Sequence, residues 1–218
     1  MPSAGSSSSK GRPTNRKAPD VGRRERIGLF GGSFDPIHAG HLILAEAAVN
    51  ALDLSRVFFI PTAMPPHKRR RALAAVAMRA EMVRIAIAGN PRFELSLVES
   101  KRGVSYTYRT VLRFAARGYG REQIHLLIGS DSLEEMHEWR STETIIAHAT
   151  IVVMSRPGRD QLPPLPPGSA VVRLEEGANS ISSTLVRALV RDGKSIRYLV
   201  PEAVERYIVE HALYRGDA

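Results

Sequence analysis

Two histidines three residues apart follow a pair of glycines near the start of the chain. Gly31 and Gly32 come directly after a short apolar run, and His38 and His41 precede an alanine- and leucine-rich stretch. Glycine lets the backbone bend sharply and lets a ligand approach its N–H groups. At the N-terminus of a helix, both imidazoles can point toward one anion, beside the positive end of the helix dipole. The pattern predicts a polyphosphate-binding turn.

The residues between the glycines and the histidines predict where that helix begins. Pro36 disfavours helical angles at Asp35, so we expect the helix to start late, near Gly40 or His41. An ordinary turn with surface histidines is a second interpretation, disfavoured by the position directly after the first strand. A zinc site is a third, but the chain has no Cys and no third ligand at helical spacing. We therefore expect no metal ligands.

A second group of anion-binding residues occurs near the end of the chain. Ser182, Ser183 and Thr184 stand at a predicted helix start, and Arg187 follows Ser183 by four residues, on the same helical face. Hydroxyls, free N–H groups and a guanidinium can converge there on an anion. Alone, this is a weak signal, since a capped helix with a surface Arg looks the same. Paired with the histidine turn it is strong, because a triphosphate needs donors from two sides.

Short β-rich runs alternate with helical patterns along the chain. This alternation predicts an α/β fold with an open, mainly parallel sheet, flanked by helices and ending in a helical C-terminus. A ligand site is then expected at the carboxyl ends of the strands. We predict strands at 27–30, 56–61, 93–97 (at an edge), 123–128, 150–154 and 171–174, and helices at 41–52, 74–88, 105–117, 142–148 and from 183.

Two residues directly after the fourth predicted strand are further site candidates. Gly129 and Asp131 follow a near-continuous apolar run, and a carboxylate at such a strand end can accept ribose hydroxyls. Asp131 could also cap the next helix, and the two roles are compatible.

Composition limits the class of protein. The 218 residues are 43% hydrophobic and 24% charged, which indicates one soluble globular domain without a membrane helix. Residues 1–25 are rich in Ser, Gly and Arg and are predicted to be a disordered basic tail before a domain at 26–218. The absence of Cys excludes disulfides and thiol catalysis but says little about the compartment. No signal peptide is visible, and we expect a cytoplasmic protein.

Several segments resemble one enzyme family. Residues 32–41 resemble the His-x-Gly-His signature of the nucleotidyltransferase superfamily, and residues 181–187 resemble its Ile-Ser-Ser-Thr-x-x-Arg signature. Residues 65–68, 105–107 and 129–133 are similar to segments of bacterial nicotinate-nucleotide adenylyltransferases, and the resemblance covers residues 26–214. It implies a Rossmann-like fold and transfer of AMP from ATP, with Mg²⁺ on its phosphates, to nicotinate mononucleotide. Deamido-NAD and pyrophosphate would be the products, in NAD biosynthesis.

The resemblance also implies site residues. His38, His41 and Arg187 are the implied catalytic residues. The implied ATP-binding residues are Gly31, Gly32, Ser33, Phe34, His38, His41, Gly129, Asp131, Ile181, Ser182, Ser183 and Arg187. The implied residues for the nicotinate half are Lys68, Tyr106, Thr107, Trp139 and Arg156. The chain departs from the family pattern after Trp139, where Arg140 replaces an expected aromatic.

Other functions remain open at this point. A sister adenylyltransferase would take nicotinamide mononucleotide or pantetheine phosphate. The net charge of +9 also suits a non-catalytic nucleotide- or nucleic-acid-binding protein. Class I aminoacyl-tRNA synthetases share a similar turn, but this chain is short and lacks a Lys-Met-Ser-Lys-Ser loop. The expected partners are ATP and nicotinate mononucleotide, without membrane or nucleic acid, and a homo-oligomer is left open.

Overall fold

The computed structural model describes residues 25–63, 74–99, 105–155, 167–175 and 181–216. The predicted tail, apart from Glu25, lies outside these ranges, as do Lys68 and Arg156. Within the described ranges, no helix is both long and apolar enough to cross a membrane.

Within the described residues, six strands form one sheet in which every neighbouring pair is parallel, as predicted. The spatial order is β3-β2-β1-β4-β5-β6, so β3 lies at an edge as expected. The third strand is shorter than predicted, since only its first three residues pair with β2. The strands are β1 (Ile27–Gly32), β2 (Arg56–Pro61), β3 (Phe93–Leu95), β4 (Ile124–Gly129), β5 (Thr150–Ser155) and β6 (Val171–Glu175).

Helices connect the strands and complete the C-terminal part. The first begins at Ala39, earlier than predicted, because the extended backbone of His38 already serves as its N-cap. The third also differs, because Tyr106 and not Ser105 occupies its N-cap position. The helices are α1 (Ala39–Leu52), α2 (Val76–Ile87), α3 (Thr107–Ala115), α4 (Ser130–Glu134), α5 (Thr142–His148), α6 (Ser183–Arg191) and α7 (Glu202–Glu210), with a 3₁₀ turn at Glu135–Glu138.

The sheet is covered on both faces, which explains its apolar strands. In β2, Phe59 packs into one core cluster and Phe58 into the other, because successive side chains point to opposite faces. Helices α1, α2, α6 and α7 supply the cluster that contains Phe59, and α3, α4 and α5 supply the cluster that contains Phe58.

The chain order places a crevice beside β1. From β1 the chain moves through β2 to the edge strand β3, and then returns to add β4 on the other side of β1. Loops after β1 and β4 therefore leave the sheet in opposite directions, and ligands of open α/β sheets bind at this reversal. Gly32 and Gly129 are the last residues of β1 and β4, so both predicted glycine-containing strand ends lie at the carboxyl edge of the sheet.

The two glycines at the end of β1 are expected to respond differently to substitution. A Cβ on Gly32 would lie 3.1 Å from the ring of Phe34, which is only 1% exposed and cannot easily move. We expect Gly32→Ala to lower the free energy of unfolding by about 1–3 kcal/mol, through overpacking. A Cβ on Gly31 meets no atom within 4 Å, so Gly31→Ala should change it by less than about 0.5 kcal/mol.

Urea unfolding of the two variants checks this contrast. Equal losses of stability in Gly31→Ala and Gly32→Ala would contradict the assignment of Gly32 to core packing.

Candidate active site

The turn after β1 is anchored in the core by an aromatic side chain. Phe34 has a positive φ of 45°, and its ring contacts those of Phe30, at 5.5 Å between centroids, and Phe59, at 5.8 Å. The Asp35–Pro36 peptide bond that follows is cis. Because the Phe34 side chain is buried, only its backbone can reach a ligand, whereas Gly31 borders open space.

The two histidines lie side by side at the start of α1, as their spacing predicted. Their ring centroids are 3.7 Å apart, and the backbone N–H of His38 donates to Nδ1 of His41 at 3.2 Å. This hydrogen bond leaves the proton of a neutral His41 on Nε2. His41 also packs on Phe34, with 5.0 Å between ring centroids. Burial, and secondly the neighbouring His38, hold the pKa of His41 well below its usual value. His41 is therefore a neutral N–H donor at pH 7.

The serine and arginine from near the chain's end reach the same turn. Ser182 is the N-cap of α6 and accepts a hydrogen bond from the Leu185 N–H at 3.1 Å. Ser183 Oγ donates to the carbonyl oxygen of Pro36 at 2.9 Å. Arg187 donates to the carbonyl oxygen of Asp35, and its Nη1 lies 3.6 Å from Asp35 Oδ2. The predicted convergence of the two phosphate-binding segments is thus present in the fold.

The carboxylate of Asp35 is the centre of this arrangement, and sequence reasoning treated it only as a turn residue. The side chain is fully buried. Its Oδ1 accepts hydrogen bonds from the Tyr214 hydroxyl at 2.8 Å and from the Ala74 N–H at 3.1 Å. Burial, and then the Asp35 charge, raise the pKa of Tyr214, so its hydroxyl stays protonated. The C-terminal segment therefore contacts the active-site turn directly.

Arg79 is a second buried residue that the sequence did not reveal. It is 1% exposed and donates to three carbonyl oxygens. They belong to Ser33 at 2.5 Å, Ala74 at 2.8 Å and Ala63 at 3.1 Å. Burial lowers the pKa of Arg79, and the Asp35 charge opposes that effect. Arg79 therefore joins the ends of β1 and β2 to the start of α2.

Two of the residues predicted for the nicotinate half, Tyr106 and Thr107, lie at the start of α3, close to the carboxyl end of β2. Ser105 Oγ accepts a hydrogen bond from the Ala63 N–H at 3.1 Å, which holds the start of α3 beside the end of β2. Its predicted role as a helix cap is wrong, because Tyr106 occupies the N-cap position of α3. Tyr106 and Thr107 follow at the first turn of α3.

Trp139 is linked to Tyr106 by the next residue in the chain, Arg140, which contacts the Tyr106 ring. Trp139 is half-buried against the core cluster that contains Phe58, as expected for a partly exposed ring. The guanidinium carbon of Arg140 lies 5.4 Å from the centroid of the Tyr106 ring. The start of α3 thus meets the segment that follows α4 and its 3₁₀ turn.

The remaining predicted residues have simple placements. Gly129 ends β4 and is the N-cap residue of α4, so Asp131 lies within α4 and not at its cap. Ile181 is partly buried against the core cluster that contains Phe59. Among the residues that the structure describes, no three His, Asp or Glu side chains form a group that could hold a metal ion.

Loss of the Tyr214 hydroxyl should destabilise the fold. In Tyr214→Phe, Asp35 stays buried but loses one of its two donors to Oδ1. We expect the free energy of unfolding to fall by about 1.5–3 kcal/mol, as for other buried hydrogen bonds to charged groups. Chemical denaturation measures this change. Tyr198→Phe is the matched control, since that ring is 86% exposed, and equal losses in both variants would contradict the role of Tyr214.

The lowered pKa of His41 predicts a pH-dependent stability. Below about pH 6.5 the unfolded chain takes up a proton on this imidazole that the folded state does not. The free energy of unfolding should therefore fall with decreasing pH from about 6.5, by at most about 1.4 kcal/mol per unit for this group, and be independent of it above. The pKa of His125 is also lowered by burial, so part of the slope is its own.

Denaturation of His41→Asn between pH 5 and 8 isolates the contribution of His41. The Asn side-chain oxygen can accept the His38 N–H but does not titrate, so the slope below pH 6.5 should be shallower. His137→Asn, at a site whose side chain is 75% exposed, should keep the wild-type slope. An unchanged slope in His41→Asn would contradict the prediction.

A family comparison and two sequence relatives agree on one kind of enzyme. A family model described as cytidylyltransferase-like matches residues 29–189. A Geobacillus kaustophilus protein named "probable nicotinate-nucleotide adenylyltransferase" is 40% identical over 190 residues, which cover 87% of this chain and 86% of the relative. A Thermus thermophilus protein of the same name is 44% identical over 192 residues, covering 87% of this chain and all of the relative.

Solved structures share the fold. The nicotinic acid mononucleotide adenylyltransferase of Plasmodium falciparum, complexed with NaAD, superposes with a TM-score of 0.71 at 18% sequence identity. The match covers 88% of this chain and 98% of that one. The same enzyme complexed with APC gives a TM-score of 0.69. The two proteins therefore share one Rossmann-like fold over nearly their whole matched length.

Proposed function

Because the chain belongs to the cytidylyltransferase-like family and to the nicotinate-nucleotide adenylyltransferases, we propose that it transfers AMP from ATP to nicotinate mononucleotide. A phosphate oxygen of the mononucleotide attacks the α-phosphorus of ATP. The new P–O bond forms as the bond from the α-phosphorus to the bridging oxygen breaks, and pyrophosphate leaves. The products are deamido-NAD and pyrophosphate, with no covalent enzyme intermediate.

One observation supports this proposal above the others. The imidazoles of α1 and the hydroxyl and guanidinium of α6 contact a single turn, residues 35–38, although they are distant in sequence. That turn lies at the carboxyl end of β1, beside the reversal of strand order where nucleotides bind. Donors from two sides suit a triphosphate better than a mononucleotide.

Each group has a defined part in the proposed transfer. His41 donates from Nε2 to a phosphate oxygen, because its Nδ1 already accepts the His38 N–H. His38 lies against it and adds a second donor. Arg187 is held at Asp35 and supplies positive charge on the pyrophosphate side, where Ser183 also lies. Alignment and charge stabilisation account for the chemistry.

Magnesium fits this site as a partner of ATP. The only buried carboxylate of the turn, Asp35, accepts from Tyr214 and Ala74 at Oδ1, and the Arg187 guanidinium lies 3.6 Å from its Oδ2, so it does not fit a metal ligand. The ion would therefore be held by the phosphates, and when bound it neutralises part of their charge. The chain's contribution is to bind and orient the phosphates that carry it.

The nicotinate half is assigned to the start of α3 and to the segment after β4. Tyr106, Thr107 and Trp139 lie there, and a half-buried indole can stack on a cationic pyridine. Lys68 and Arg156 stay predictions, as do Gly129 and Asp131 on the nucleotide side. The cytoplasmic location and the homo-oligomeric state also stay predictions.

The test combines a substrate comparison with one variant. The protein should release pyrophosphate from ATP only when a mononucleotide is present, and faster with the acid than with the amide or with pantetheine phosphate. His41→Ala should lower kcat by about 10²-fold or more, because it removes a donor to developing charge. Coupled detection of pyrophosphate measures both effects.

His211→Ala is the control variant, since this exposed imidazole lies at the end of α7 and contacts Tyr207. A kcat unchanged in His41→Ala would remove His41 from the mechanism. Transfer to pantetheine phosphate alone would replace the proposed substrate by the alternative one.

A further inference from the structure

Two guanidinium groups lie close to the ring of Tyr106. The Cζ atoms of Arg109 and Arg140 are 5.3 and 5.4 Å from the ring centroid, within the range of a cation–π contact. Arg109 is one turn along α3 and also donates to the Tyr108 hydroxyl at 3.1 Å. Arg140 arrives from a segment 34 positions later in the sequence. The start of α3 therefore carries a concentrated positive charge.

The backbone around Arg140 is fixed on both sides. The Trp139 N–H donates to the Met136 carbonyl oxygen at 3.1 Å, and Thr142 Oγ1 donates to the Trp139 carbonyl oxygen at 2.9 Å. Ser141 adopts a left-handed conformation with φ of 55°, which turns the chain into α5. Arg140 is thus presented at a defined position, although its side chain is exposed.

No residue that the structure describes neutralises the charge of Arg140. Among the residues that the structure describes, none accepts a hydrogen bond or ion pair from its guanidinium. The adjacent carboxylate, Glu138 Oε1, lies 3.7 Å from Nε2 of His137. Arginine stays protonated at any physiological pH. Arg140 is thus a cation with no anionic partner among the described residues, and it lies beside Tyr106 and Trp139. A purely structural role does not explain this placement.

We propose that Arg140 is a specificity-determining residue whose charge favours the carboxylate of nicotinate mononucleotide over the carboxamide of nicotinamide mononucleotide. The inference rests on the proposed function and on the placement of Tyr106 and Trp139 at the pyridine ring. The pyridinium charge is the same in both mononucleotides, so its repulsion by Arg140 cancels in a comparison of the two. Only the carboxylate carries an additional negative charge that Arg140 attracts.

Three variants separate this charge effect from packing and from the general field of the protein. Arg140→Gln removes the charge and keeps much of the side chain, and Arg140→Lys restores the charge. Arg206→Gln is the control, because this exposed arginine on α7 pairs with Glu202. For each protein, kcat/KM is measured with both mononucleotides. The chain's single tryptophan, Trp139, reports binding of either one by fluorescence.

Arg140→Gln should reduce the ratio of kcat/KM for the acid to kcat/KM for the amide by about tenfold, mainly through a higher KM for the acid. The Kd for the acid should rise in parallel, and Arg140→Lys should recover most of both losses. Arg206→Gln should keep the wild-type ratio.

Different results would overturn different parts of the argument. A wild-type ratio in Arg140→Gln, or equal losses with both mononucleotides, would reject the role of Arg140 and leave the proposed function standing. An equal fall of the ratio in Arg206→Gln would reject a local effect in favour of net charge. A wild-type protein that adenylylates neither mononucleotide would reject the proposed function and this inference together.

Discussion

The buried carboxylate of Asp35 is the interaction on which the active-site geometry depends. A carboxylate removed from water is costly unless hydrogen bonds and positive charges compensate it. Tyr214 and Ala74 donate to Oδ1, and Arg187 lies against Oδ2. Because these partners come from three different parts of the chain, the compensation of one charge also assembles the turn that carries the histidines.

The same turn places two imidazoles at the N-terminus of α1, where positive charge is unfavourable. His38 and His41 would destabilise the N-terminus of α1 if both were protonated. Burial keeps the pKa of His41 low, so the pair remains compatible with the positive end of the helix. Two buried side chains stabilise the turn. The Phe34 ring packs against His41, and Arg79 donates hydrogen bonds to three backbone carbonyl oxygens. A neutral donor, His41, is thereby held beside His38, where the proposed transfer needs it.

Much of the fold followed from local pattern, and the failures have a physical reason. Apolar runs such as residues 124–128 and the turn signals between them predicted the parallel sheet, because period and punctuation are local properties. The spacing of His38 and His41 likewise predicted adjacent imidazoles. The hydrogen bonds of Asp35 span 39 and 179 positions, so no window of sequence contains both ends. Tyr214 and Arg79 carry no local signal for the same reason. Ser105 resembled a helix cap because its residue type suits one, and its contact with Ala63 spans 42 positions, so no local pattern indicates it.

The contact between Tyr214 and Asp35 has a consequence for how the protein matures during synthesis. Asp35 leaves the ribosome early, and 179 further positions must follow before its tyrosine donor exists. Until Tyr214 has been made, Asp35 lacks one of the two donors to its Oδ1, and the cost of burying its carboxylate is only partly compensated. The turn that carries the histidines can therefore reach its final form only after the strands and helices between Asp35 and Tyr214 have been synthesised.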